Sequence, residues 1–267
     1  AEQRGAAGGA GRRSEAGDFA TELAFMTILF ITGTDTDAGK TVLATLLTQW
    51  LRASGVRVAA LKPLCSGRRA DAAALRAAAG QVLPLDTVNP WHFRAPLAPV
   101  LAARRERQQV RLAEVVEHIR RVSRGFEVVV VEGAGGLLSP LGEDFASREL
   151  IRALKATPIV VAPNRLGAVN AIRLTLAALP PRCAARTQVV FFDPPRPDSA
   201  TRTNAGLLGE FIAPAQIHRF PWLRGGRLPV RAPRRGRLHA ALQTLVQSLG
   251  LAWAPAAPLQ RNNREVR

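Results

Sequence analysis

Between residues 26 and 250 the chain alternates short apolar, β-branched runs with longer stretches in which apolar positions recur every three or four residues. The runs Thr27–Thr32, Val56–Leu61, Glu127–Val131, Pro158–Ala162 and Thr187–Phe192 read as strands. Helical periodicity fills 41–53, 70–79, 110–123, 145–155, 167–179, 202–211 and 237–249. Strand and helix in alternation predict an α/β fold, a parallel sheet with helices on both faces in a single domain. In such sheets ligands bind at the carboxyl ends of strands, so the residues that follow each run are the ones to read for chemistry.

The first of these places is Gly33–Thr41, GTDTDAGKT. Small residues there let successive backbone N–H groups point inward at phosphate oxygens, and the helix that follows adds its positive dipole end. Lys40 is placed to reach β- and γ-phosphates, and the Thr41 hydroxyl to ligate Mg²⁺. Lysine is scarce: of 37 basic residues only Lys40, Lys62 and Lys155 are lysine. An ammonium is a compact charge that enters a tight backbone cradle in a way the planar guanidinium fork does not, so Lys40 and Lys62 become candidates for chemistry. The strict pattern G-x-x-x-x-G-K-[ST] asks for glycine at position 34, where the chain has Thr34, with Gly33 one residue early. The order strand, loop, helix carries the assignment instead, and makes the sheet P-loop NTPase-like.

After the second run comes Lys62-Pro63-Leu64-Cys65-Ser66-Gly67, then Asp71, one of two acids between residues 63 and 105. A cation at a strand end with a hydroxyl four residues on can hold a carboxylate or carbamate beside a transferring phosphoryl group, and Asp71 can supply a further Mg²⁺ ligand. The plainer alternatives are a surface lysine and a helix-start aspartate. Cys65 has no histidine nearby in sequence to activate it and reads as a small buried residue. The third run ends in Glu132-Gly133-Ala134-Gly135-Gly136. An acid at the tip of an apolar strand is where phosphate-loop ATPases hold Mg²⁺ or its water, and the glycines let the chain approach a nucleotide closely.

Composition narrows the setting. At 267 residues and 47% hydrophobic, the chain can bury a substantial core. Two cysteines give no disulfide framework and suit a reducing cytoplasm; the four histidines show no metal-ligand spacing. No apolar run approaches the roughly 18 residues a membrane helix needs, so no membrane partner is expected. The formal net charge is +17, but nine arginines and a single acid lie in residues 224–267. Neither a reading helix nor interleaved aromatics accompany them, so a nucleic-acid partner is not expected. Residues 1–25, Gly/Ala-rich, are expected to form a disordered N-terminal extension, with Met26, the sole methionine, as the natural start. Residues 26–250 would then be the P-loop domain and 251–267 a disordered basic tail.

Taken in order, these segments resemble the dethiobiotin synthetases. The matching elements are GTDTDAGKT, LKPLCSG with Asp71, VNPWHFRAPLAP at 88–99, VVVVEGAGG, the segment Asn164–Asn170 and Pro221-Trp222-Leu223, spanning roughly residues 26–223. The resemblance implies an ATP-dependent cyclo-ligase. One amine of 7,8-diaminopelargonate takes up CO₂ as a carbamate, ATP phosphorylates the carbamate, and the neighbouring amine closes the ureido ring, releasing ADP and phosphate. It implies Lys62 and Lys40 as catalytic, with Thr41, Asp71 and Glu132 as ligands of Mg²⁺. The implied nucleotide site comprises Asp37, Ala38, Gly39, Lys40, Thr41, Val42, Asp71, Glu132, Gly133, Ala134, Gly135, Phe192, Asp193, Pro221, Trp222 and Leu223. Substrate contacts would come from Ser66 and, across a homodimer interface, from Leu166, Gly167 and Asn170. Members of that family often carry Asn-Asp after the strand at 187–192, where the amide reads adenine; Phe192 stands at the amide's position here, which implies weaker discrimination between bases.

Two other classes share the motifs. One is a cobyrinate-type carboxylate-activating ligase, which carries a glutaminase domain for which the chain has neither the length nor a suitably placed cysteine. The other is a ParA/MinD-like partitioning ATPase, which places a signature lysine five residues before the loop lysine; that position is Asp35.

Overall fold

The computed structural model describes residues 26–223 and 232–251. The extension expected at 1–25, residues 224–231, and the tail beyond Leu251 lie outside the described residues. The strands are β1 (Thr27–Gly33), β2 (Val58–Leu61), β3 (Leu64–Ser66), β4 (Trp91–Phe93), β5 (Val128–Glu132), β6 (Thr157–Pro163), β7 (Gln188–Phe192) and β8 (Ile217–Phe220). The helices are α1 (Lys40–Ala53), α2 (Ala70–Ala78), α3 (Leu85–Val88), α4 (Pro99–Arg105), α5 (Leu112–Ser123), α6 (Ser147–Leu154), α7 (Ala168–Ala178), α8 (Pro181–Ala184), α9 (Ser199–Leu208) and α10 (Gly236–Ser248).

Six strands form one sheet in the order β2-β5-β1-β6-β7-β8, and β3 pairs with β4 in a separate two-stranded ladder; every pairing is parallel. The two-residue period of a strand sorts its side chains between two cores. Ile28 and Phe30 of β1 face the cluster built with α5 and α6, including Val115, Ile119, Leu150 and Ile151. Leu29 and Ile31 face the opposite cluster, with Leu43 and Leu47 of α1 and Leu242 and Leu245 of α10. Helices therefore cover both faces, as the alternation predicts. Among the described residues no helix is long and apolar enough to cross a membrane.

The five predicted strands are present with shifted ends: β2 begins at Val58 and β6 extends through Pro163. The edge strand β8 is not among the expected elements, because four residues carrying His218 and Arg219 show too little apolar alternation to register. β3, β4 and the short helices α3, α4 and α8 were hidden for the same reason of length. The helix expected at 202–211 instead runs from Ser199 to Leu208, started by Asp198, whose carboxylate accepts from the Thr201 backbone N–H at 2.8 Å.

Between β1 and α1 the loop explains its own departure from the strict glycine pattern. A Cβ at Gly33 would lie 3.1 Å from the Ala38 Cβ and 3.2 Å from the Val161 carbonyl, whereas Thr34 donates its backbone N–H to that carbonyl at 3.0 Å. Glycine is needed one position earlier than the pattern says. Gly39 takes φ +99° at the start of α1, and a Cβ there would come within 2.7 Å of the Phe192 ring.

Two outcomes are expected. Gly39→Ala should destabilise the fold by about 1–3 kcal/mol in denaturant unfolding and weaken nucleotide binding, with Phe192→Ala in the same chain relieving the contact but not the backbone strain. His218, buried in β8 with its Nε2 2.9 Å from Gln188 Oε1, has its pKa pushed down to about 4 by burial. Above pH 6.5 the imidazole is neutral folded and unfolded. Below it the unfolded chain gains a proton that the folded chain refuses, so stability falls from pH 6.5 towards 4. His218→Gln should lose less urea resistance than the parent between pH 7 and pH 5; an equal loss would show that other groups set the acid limb.

Candidate active site

An open cleft of about 720 Å³ lies across the carboxyl ends of β1, β2 and β5. Its floor is the register itself: Ile31 of β1 is opposite Glu132 of β5, so the phosphate loop and the buried acid leave the sheet side by side. The loop contributes Thr36, Asp37, Gly39, Lys40, Thr41 and Val42; the segment after β2 contributes Lys62, Cys65, Ser66, Arg68 and Asp71. Pro96–Pro99 form the wall opposite the loop.

Four of these side chains converge. Lys62 Nζ lies 2.5 Å from Glu132 Oε1 and 2.8 Å from Asp71 Oδ2, and the Thr41 hydroxyl donates to the same Glu132 oxygen at 2.7 Å. The Glu132 side chain is fully buried, and its second oxygen, Oε2, has no partner. Burial pulls the Lys62 ammonium towards the neutral form, but Glu132 and Asp71 outweigh it and hold the pKa above the ordinary lysine value. Lys40 moves the other way: burial, reinforced by the nearby Lys62, lowers it against the pull of Glu132, Asp35 and Asp37. Its ammonium donates to the Asp35 carbonyl at 2.6 Å, so the loop wraps its own lysine. Burial raises the Cys65 thiol, whose Sγ lies 3.2 Å from the Arg68 carbonyl, in keeping with an inert residue.

The glycines after Glu132 make a tight corner. Gly133 donates to the Ile31 carbonyl at 3.0 Å; Gly135 has φ +66°, and a Cβ on it would overlap Ser139. Ser139 accepts from the Gly136 N–H at 2.8 Å and lines the cleft. The Ser66 hydroxyl donates to the Leu97 carbonyl at 2.5 Å, which leaves its lone pairs as acceptors towards the cleft.

Eleven of the expected residues line this cleft: Asp37, Gly39, Lys40, Thr41, Val42, Lys62, Ser66, Asp71, Glu132, Ala134 and Gly135. Ala38 is buried beneath Gly33 and Gly133 packs on Phe30. Phe192 adjoins the loop at Gly39 and meets Phe220 edge-on, with ring centroids 5.6 Å apart. Asp193 binds Arg219 at 2.8 Å and receives the Asn164 amide at 2.7 Å. Pro221 to Leu223 follow β8, with Trp222 half exposed. Leu166, Gly167 and Asn170 sit at the start of α7, outside the cleft and on the surface; Leu166 is 85% exposed. Cys65, Arg68, Ser139 and the Pro96–Pro99 wall line the cleft without having been singled out by role. The wall belongs to the segment 88–99 that carried part of the resemblance, so the signal was present there as a motif without an assigned contact.

A family model described as an AAA domain matches residues 27–224. The ATP-dependent dethiobiotin synthetase of Anaeromyxobacter dehalogenans strain 2CP-C is 41% identical over 199 residues, covering 73% of this chain and 89% of that protein. The enzyme of that name from Xanthomonas euvesicatoria pv. vesicatoria strain 85-10 is 35% identical over 216 residues, 76% of this chain and 94% of that one. Among solved structures, the hydrogenase maturation factor HypB of Archaeoglobus fulgidus aligns over 88% of this chain and 96% of its own at 13% identity and a TM-score of 0.49, a likeness too loose to bear on activity. These two relatives are covered nearly end to end, and the span matched by the family model contains the loop, the buried acid and the strand-end lysine. This chain belongs to the dethiobiotin synthetase family.

Proposed function

We propose that the chain carries out ATP-dependent ring closure of 7,8-diaminopelargonate with CO₂, giving dethiobiotin, ADP and phosphate. The observation that carries this reading is the meeting of Lys62, Asp71, Glu132 and the Thr41 hydroxyl at the mouth of a phosphate loop. Lys62, kept charged by its two carboxylates, is the cation for a carbamate and for the charge that builds as its oxygen attacks the γ-phosphorus. ADP leaves from the far side, with Lys40 and the loop amides on its phosphates. The second amine then attacks the carbonyl carbon and expels phosphate. Ser66, its proton committed to Leu97, can accept a hydrogen bond from a substrate amine.

The donor set fits Mg²⁺. Glu132 keeps one buried oxygen without a partner, Asp71 is half exposed, and Thr41 adds a hydroxyl, all hard oxygen ligands. Three protein oxygens would leave the remaining positions of an octahedral ion to phosphate oxygens and water. Bound there, the ion would neutralise charge on the β- and γ-phosphates. A homodimer belongs to the same proposal: Leu166 in the turn before α7 and Leu174 on α7, 85% and 63% exposed, offer apolar side chains to a second subunit. Both cysteines are free and buried, as suits a reducing cytoplasm. A coupled ADP-release assay tests the activity: release should require both the diamine and bicarbonate. Release stimulated by DNA and indifferent to the diamine would favour the partitioning-ATPase alternative.

Lys40→Ala and Lys62→Ala should both abolish ligation by different routes. Lys40→Ala should weaken ATP binding as well as turnover. Lys62→Ala should leave ATP affinity largely intact while removing about 2–4 kcal/mol of transition-state stabilisation. Equal damage to ATP affinity from both would sink this division of roles.

Base selectivity should be loose. At the ends of β6 and β7 the Asn164 amide is committed to Asp193, the Thr201 carbonyl and Asn204, and the Asp193 carboxylate to Asn164 and Arg219. The Phe192 ring can only pack against a base, and every base has a π face. GTP or CTP should support ligation within about tenfold of ATP in kcat/KM, a gap of roughly 1.4 kcal/mol. Measuring the four nucleoside triphosphates decides it, and a preference for ATP above about a hundredfold would place adenine recognition elsewhere.

A further inference from the structure

Lys62 and Pro63 stand where β2 has ended and β3 has not begun, so their peptide groups have lost the ladder of the sheet. Buried carbonyls in such a break must find other donors. The Pro63 carbonyl accepts from the Trp91 backbone N–H at 3.1 Å. The Lys62 carbonyl finds Asn89, which is only 1% exposed and follows α3 in the adjoining segment. Its Nδ2 donates to the Lys62 carbonyl at 2.8 Å and to the Pro63 carbonyl at 3.3 Å, while the Lys62 N–H donates to the Val88 carbonyl at 3.0 Å. Its Oδ1 accepts from Arg69 Nε at 3.0 Å, and Arg69 Nη2 donates to the Asn89 carbonyl at 2.8 Å. The amide orientation is unique, because carbonyls can only accept and a guanidinium can only donate.

Arg69 is the residue that precedes α2, two positions before Asp71. The Arg69–Asn89 pair therefore ties the segment carrying Lys62 to the segment carrying Asp71, the two side chains that meet at 2.8 Å in the cleft. We propose that Asn89 and Arg69 are positioning residues: Asn89, held by Arg69, sets the direction in which the Lys62 ammonium enters the site. The proposal rests on the ligase reading for the role of Lys62, but its geometry can be tested without turnover.

The scarcity of lysine makes that test clean. Protein labelled with ¹⁵N at the lysine side chains carries only three such ammonium groups, at Lys40, Lys62 and Lys155. The Lys62 signal is assigned from its loss in Lys62→Arg. Asn89→Leu, which leaves the Lys62 carbonyl without its donor, should shift the Lys62 signal and leave that of Lys155 in place. Arg69→Ala should shift the same signal in the same direction. In steady-state assays both variants should lose at least tenfold in kcat with the KM for ATP within about threefold, measured well below their melting temperatures. Asn89→Asp keeps the acceptor for Arg69 but not the donor; it should shift the Lys62 signal as well, and it keeps the test open if Asn89→Leu fails to fold. A folded variant whose Lys62 signal stays in place, or whose kcat falls only as its folded fraction falls, overturns the proposal. If the variants shift the Lys62 signal but the parent protein makes no dethiobiotin, the ligase reading is overturned and the positioning pair stands.

Discussion

The carboxylate of Glu132 is the constraint around which the site is arranged. A fully buried acid at the end of a central strand is costly unless charge and hydrogen bonds meet it. Here Lys62 and Thr41 converge on one oxygen while the other is left unpartnered. Each of those partners comes from a different strand end: Thr41 from the helix after β1, Lys62 from the end of β2, Glu132 from β5. The register that sets Ile31 opposite Glu132 and Leu61 opposite Val131 brings the three together. A strand slip of one residue would turn the acid to the other face of the sheet and dismantle the cluster.

From that cluster outward the chain uses its cations by shape. The two buried cationic side chains of the cleft are both lysines, compact enough to sit against a loop carbonyl or between two carboxylates. Arginines serve where a fork is wanted, as at Arg219 on Asp193 and at Arg69, which spans Asn89, Leu85 and Asp86. The polar groups near the phosphate loop are thus divided between those held open to the cleft and those consumed in holding the scaffold. Asn164 and Asp193 fall in the second class, which leaves apolar Phe192 against Gly39 beside the nucleotide loop.

The family assignment rests on relatives at 35–41% identity that this chain covers nearly end to end. The geometry adds what identity does not say. It shows that the loop glycine displaced to position 33 still serves close packing, because it is Gly33 and not Thr34 that lies against Ala38 and the Val161 carbonyl. It shows too that the Ser66 proton is already spoken for by Leu97.

The sequence by itself determined the alternation of strand and helix, five of the six strands of the main sheet, and the residues at their carboxyl ends, because apolar periodicity and small-residue loops are local signals that survive without a fold. Lys40, Lys62, Asp71 and Glu132 were legible for that reason. Tertiary structure alone decided the rest. β8 and the β3–β4 ladder exist because neighbouring strands offer them hydrogen-bonding edges, not because four or three residues have a pattern of their own. The role of Asn89 was invisible, since an asparagine before a proline looks like any turn until the fold sets the Lys62 carbonyl, outside the strand ladder, within reach of its amide. Strand order is a non-local choice: which strands pair is fixed by how two apolar faces are buried at once, and that pairing brought Lys62 and Thr41, 70 and 91 positions before Glu132, into a single site with it.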